Sequence, residues 1–152
     1  SNSSKLKKDF NIIFFGGSDF SKIERNLLCE MGIDTKVFYE NGDDTKLKLF
    51  YKNAAVLIYP SLYEGFGSVP LEAMSYGCPV VSSDTSCLPE VQGEASVKFN
   101  PYSLDDIKCA LEKVLYNESM QKDLISKGYE KVKKYSWSEC AKKTIKLYNE
   151  LV

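Results

Sequence analysis

Apolar residues along this chain fall into two rhythms. Short, nearly unbroken runs occupy residues 11–15, 35–39, 54–59, 79–82 and 95–99, each closed by glycine, proline or turn residues. Runs of that length and closure read as buried strands. Between and after them the spacing becomes helical. Ile23, Leu27, Leu28 and Met31 share one face, with Ser18 or Asp19 available as a cap and Gly32 as a stop. Leu47, Phe50 and Tyr51 mark a short helix after the turn at 41–44, and a further helix runs to Tyr76 and Gly77. Pro60 ends the most apolar run, because proline cannot donate to a ladder. From Pro101 onward the pattern is helical throughout, in three stretches carried by Leu104 to Leu115, Met120 to Val132, and Trp137 to Leu151.

Strands alternating with helices imply an α/β fold, a parallel sheet covered on both faces, followed by a helical C-terminal segment. In such sheets a ligand sits at the carboxyl ends of the strands. Gly16 and Gly17 lie at one such end, and Glu64 and Gly65 at another.

Composition narrows the classes. An apolar fraction of 43% fits a globular domain, and a formal net charge of -1 gives no general attraction to nucleic acid. No apolar run approaches the ~18 residues of a membrane span. Histidine is absent, which removes Ser–His and Cys–His nucleophiles. The five cysteines form no C-x-x-C pair, so a metal site is not expected and free thiols in a reducing cytoplasm are. Ser1 and Asn2 read as a cloning scar, and residues 1–10 as scar or linker before a domain at 11–152.

The most specific chemistry lies in Glu64-Gly-Phe-Gly-Ser-Val-Pro-Leu-Glu72-Ala-Met. A strand, a glycine turn and a helix start make an anion site, since the first helical N–H groups lack intrahelical acceptors. Two carboxylates suit such a site if phosphate takes the amides and hydroxyls take the carboxylates. That combination describes a sugar nucleotide. The plainer reading is a pair of solvated helix-end carboxylates. For Gly16 and Gly17 the plainer reading is a simple turn, and for Glu90 a local cap or ion pair.

This block, followed by Gly77-Cys-Pro-Val-Val81, Leu88-Pro-Glu-Val91 and Tyr135-Ser-Trp137, resembles the C-terminal half of glycosyltransferase family 4, the group 1 glycosyltransferases. The similarity covers nearly the whole chain. It implies a Rossmann-like domain forming one half of a GT-B fold, in a retaining enzyme that uses a nucleotide sugar. Carried over to matching positions, Glu72 would bind ribose hydroxyls and Glu64 would face the donor sugar. The amides of Gly65, Phe66, Gly67, Ser68 and Val69 would hold sugar hydroxyls and diphosphate. Gly16 and Gly17 would border the donor site, with base contacts from the backbone near Phe38 and Tyr39. The wording leans toward transfer of mannose or a related hexose in surface polysaccharide assembly. No Asp-x-Asp occurs, so no metal or other cofactor is expected.

The resemblance also implies an Arg and Lys clamp in an earlier βα unit, and an N-terminal acceptor domain. Neither is expected within this sequence, which therefore reads as a donor-binding fragment, inactive by itself. A non-catalytic sugar-nucleotide binding module and a sugar-nucleotide epimerase are the alternatives; the epimerase would lack the paired-glutamate block. The partner expected is a UDP- or GDP-linked sugar. From Ser119 the chain carries eight Lys against four Asp or Glu. Such an end more often forms a solvated face, but it could touch an anionic membrane, so the inner membrane face is a second expected location.

Overall fold

The computed structural model describes residues 3–151; the scar expected at Ser1 and Asn2 lies outside them. The chain divides after Phe50 into two compact units.

The first unit opens with α1 (Ser4–Asp9), capped by the Ser3 hydroxyl, where a linker was expected. Strand β1 (Ile12–Phe15) pairs in parallel with β2 (Val37–Glu40), with Ile12 opposite Val37 and Phe15 opposite Glu40. Helix α2 (Lys22–Glu30) connects them. Its cap is neither Ser18 nor Asp19. Ser21 and Glu24 form a reciprocal capping box, which satisfies two free amides at once, while Asp19 accepts from the Phe20 N–H and pairs with Arg25 at 2.6 Å. Gly32 follows in the left-handed conformation, at φ 61°, and ends the helix.

Helix α3 (Asp44–Asn53) leads into the second unit. There β3 (Leu57–Tyr59), β4 (Val80–Ser83) and β5 (Val97–Phe99) form a parallel sheet in that order. The connections are α4 (Ser68–Ser75) and the short α5 (Leu88–Gln92), the latter followed by a 3₁₀ turn. Each unit thus holds its own parallel sheet. Each ladder pair is joined across a single connection, through α2, α4 or α5.

The ending is helical as expected: α6 (Leu104–Leu115), α7 (Glu118–Val132) and α8 (Trp137–Glu150), with side-chain caps from Ser103, Asn117 and Ser136. Val81, Phe99, Ala110, Val114 and Leu124 make a buried core, closed by Ile58, Ile107, Leu111 and Met120. Helix α7 crosses α4 closely because Gly128 lies there; a Cβ at that position would sit 3.2 Å from the Met74 Cβ. Among the described residues no helix is long and apolar enough to cross a membrane.

Candidate functional site

Strand β3 ends at Tyr59, and Pro60 turns the chain into a loop that reaches α4. Gly67 occupies the N-cap of α4 in the left-handed conformation, at φ 75°. A Cβ there would also come within 2.6 Å of the Leu88 side chain, so both backbone and packing require glycine. No side chain caps this helix end, and Pro70, at its third position, has no N–H to leave unpaired. The exposed amides and the helix dipole together favour an anion. Gly65 faces open space, so nothing within the protein demands glycine there.

Glu64 is half-buried and held along both its side chain and its backbone. The Tyr59 hydroxyl donates to Oε1 at 2.5 Å, and the Ser61 hydroxyl donates to the same oxygen at 2.8 Å. These two bonds, Tyr59 first, hold the Glu64 carboxyl below the usual range. Burial, and then Glu64, push the Tyr59 phenol up to about 12, so it remains a donor at neutral pH. On the main chain, Ser86 Oγ accepts from the Glu64 N–H at 3.3 Å and donates to its carbonyl at 2.8 Å. Among the described residues Ser86 is the one non-glycine with positive φ, at 55°. Such a conformation costs an L-residue roughly 1–2 kcal/mol. Cys87 donates to the same carbonyl, and Thr85 donates to the Ser61 carbonyl at 3.1 Å. The loop after β3 is thereby strapped to the loop after β4.

Glu72 is exposed on α4, just over a turn from Gly67. Its charge adds to the burial that lifts Tyr51 to about 12. Phe66 is exposed and packs edge-on against Tyr135 at 5.4 Å, which makes it a rim residue. Ser68 is exposed and Val69 partly covered in the first turn. Glu90 lies exposed in the first turn of α5, and its carbonyl accepts from Lys131.

In the first unit, Gly16 and Gly17 both have positive φ, 83° and 70°, as the turn after β1 requires. The Tyr39 hydroxyl donates to the Gly17 carbonyl at 2.9 Å, and Phe38 is exposed. Gly16, Gly17 and Tyr39 therefore gather toward the carboxyl ends of β1 and β2, while Phe38 lies in the first half of β2, opposite Ile13. Glu64, Gly65, Phe66, Gly67, Ser68, Val69 and Glu72 gather at the end of β3 in the second unit.

Tyr59, Ser61 and Ser86 escaped the sequence reading. Ser61 and Tyr59 sit three and five residues before Glu64, a spacing with no regular secondary-structure meaning in a loop. Ser86 acts across 22 residues, and no local pattern announces it.

Among the described residues no group of three or more His, Cys, Asp or Glu converges as a metal site would. Residues 1–131 match the family described as Glycosyl transferases group 1. The chain is 39% identical over 108 residues to the O-antigen chain mannosyltransferase B of Escherichia coli, covering 71% of this chain and 28% of that protein. It is 32% identical over 142 residues to the MMP alpha-(1->4)-mannosyltransferase of Mycolicibacterium hassiacum, covering 87% and 34%. The chain thus spans about a third or less of the length of these curated relatives. Among solved structures it resembles sucrose-phosphate synthase from Thermosynechococcus elongatus, with a TM-score of 0.80 and 28% identity over 91% of this chain and 38% of that one.

Proposed function

Because this chain belongs to the group 1 glycosyl transferases, we propose that it is the donor-binding domain of a retaining hexosyltransferase. The fold supports this assignment, as an α/β domain of the kind that forms one half of the GT-B architecture. The observation that carries it is the end of β3, where an uncapped helix N-terminus behind Gly67 lies between a held carboxylate, Glu64, and an exposed one, Glu72.

The donor is a nucleoside diphosphate sugar. Its diphosphate takes the free amides around Gly67, Ser68 and Val69, whose geometry is set before the ligand arrives. Glu72 accepts from ribose hydroxyls, and Glu64 orients the hexose. When the bond from the anomeric carbon to the diphosphate oxygen breaks, negative charge grows on the leaving phosphate, where the helix N-terminus stabilises it. No enzymic nucleophile is assigned to Glu64. The sequence holds no Asp-x-Asp, so the reading is metal-free, with amides and cationic groups of the whole enzyme facing the phosphates.

Mannose is the hexose favoured, since two curated relatives are named mannosyltransferases. One of them is named for O-antigen chains, which favours assembly of a surface polysaccharide. Five free thiols suit a cytoplasmic location. The acceptor is bound by a further domain of the whole protein, and the lysine-rich α7 and α8 provide a peripheral contact with anionic lipid. Calorimetric titration of the chain with GDP, UDP, GDP-mannose and UDP-glucose tests the donor site. Binding of one base series, weakened by Glu72→Ala, is expected. Binding that ignores Glu72 refutes the assignment.

A further inference from the structure

The geometry points to Tyr59 as a positioning residue: with Ser61 it holds Glu64 through Oε1, so that Oε2 alone accepts a hydroxyl of the donor hexose. The hexose half of this proposal rests on the donor-site reading above.

Both hydrogen bonds to the Glu64 carboxylate end on one oxygen, from Tyr59 at 2.5 Å and Ser61 at 2.8 Å. A carboxylate oxygen offers about two lone-pair sites, so Oε1 is filled. Among the described residues Oε2 accepts no hydrogen bond, and the side chain is only half-buried. The other end of the residue cannot drift, because Ser86 holds both its N–H and its carbonyl. What remains is one anionic acceptor oxygen in a fixed place. Such a group recognises a hydroxyl and repels a phosphate. A carboxylate with both oxygens free could grip two adjacent hydroxyls, whereas this one can accept through Oε2 only. Cys87, on the same strap, faces the Glu64 carbonyl rather than the carboxylate.

The test compares the full chain with Tyr59→Phe, Ser61→Ala and the double variant. Amide spectra establish that each is folded, and Ser61→Ala carries the test if Tyr59→Phe is not. The first readout is the titration of the Glu64 side-chain carboxyl by ¹³C NMR, which needs no ligand. Each variant should move it up toward the ordinary carboxylate range, Tyr59→Phe more than Ser61→Ala. An unmoved titration overturns the positioning role. The second readout is the affinity for GDP-mannose and UDP-glucose against GDP and UDP. Tyr59→Phe should weaken the sugar nucleotide by about 3–10-fold while leaving the bare nucleotide unchanged. Equal weakening of both, or of neither, overturns the assignment of Oε2 to the hexose. Failure of the unaltered chain to bind any of the four removes the donor reading and the hexose half with it. The carboxyl titration still decides the role of Tyr59.

Discussion

The two units use the same parallel strand–helix pattern but bury it to different depths. All four residues of β4 are buried. In β1, by contrast, Ile12, Ile13 and Phe14 are 46%, 47% and 52% exposed, and α2 has no buried residue at all. A continuous apolar run predicts a strand covered on both faces, and the rule describes β4 well. Within the first unit by itself, β1 does not reach that state. The comparison shows where rigidity resides. The strap that holds Glu64 grows directly from the buried end of β4, whereas the Gly17–Tyr39 contact adjoins the largely exposed strand β1.

Removing one phenyl ring from each region gives the largest contrast. Phe99→Ala, in the core, should cost about 3–5 kcal/mol in urea unfolding. Phe14→Ala should cost under about 1.5 kcal/mol, since half of that side chain already meets solvent. Equal losses would mean that the two units are not differently buried in solution.

Ligand binding sharpens the contrast next. Glu72→Ala should weaken nucleotide binding about ten- to a hundredfold, as expected when a charged acceptor is lost. Tyr39→Phe removes only a hydroxyl that faces the Gly17 carbonyl, and should stay within about threefold. A smaller comparison sets two left-handed glycines side by side. Gly67→Ala carries both strain and the Leu88 overlap, and should lose about 2–3 kcal/mol. Gly16→Ala meets nothing within 4 Å and should lose only the strain, about 1–2 kcal/mol. Chemical denaturation of the two variants checks the difference.

The smallest effect is a pH dependence confined to the second unit. Burial, reinforced by Lys131, lowers Lys98 from 10.5 to about 8. The unfolded chain therefore holds more protons than the folded one, and stability should rise with pH from about 8 to 9, above which the buried Cys78 thiol, pushed up from 9 to about 11, offsets the rise. Above 10 the raised Tyr51 and Tyr59 reverse the sign, because their unfolded forms lose protons first. Denaturation midpoints across this range should show the rise in the unaltered chain and its loss in Lys98→Met. A flat profile in both would contradict the buried amine.

Much of this was legible beforehand because it depends on local chemistry. Gly32 stops α2, Pro60 ends β3, and each apolar run holds a strand, although the runs at 54–59 and 95–99 overstate strands that span only Leu57–Tyr59 and Val97–Phe99. What escaped depends on partners distant in sequence or on weak local signals. Helix α5 has five residues and no side-chain cap, so the proline in its first turn is a faint mark of its start. At the site, the paired glutamates and Gly67 stand out in sequence, while the residues that hold Glu64 still do not. Gln92 is a further example. It is fully buried and accepts from Ser82, Ser96 and Lys98, yet an isolated glutamine in the sequence gives no hint of that network.

The close crossing of α4 by α7 at Gly128 bears on how variation in this protein should be interpreted. In a saturation library selected for sugar transfer, most substitutions at position 128 would be depleted almost as strongly as those at Glu64 or Glu72. A ranking by fitness would then place a helix-packing glycine among the residues proposed to touch the donor. Measuring abundance in parallel separates the two groups: variants at 128 should lose protein, whereas variants at Glu72, on the proposed donor-site reading, should keep the protein and lose transfer.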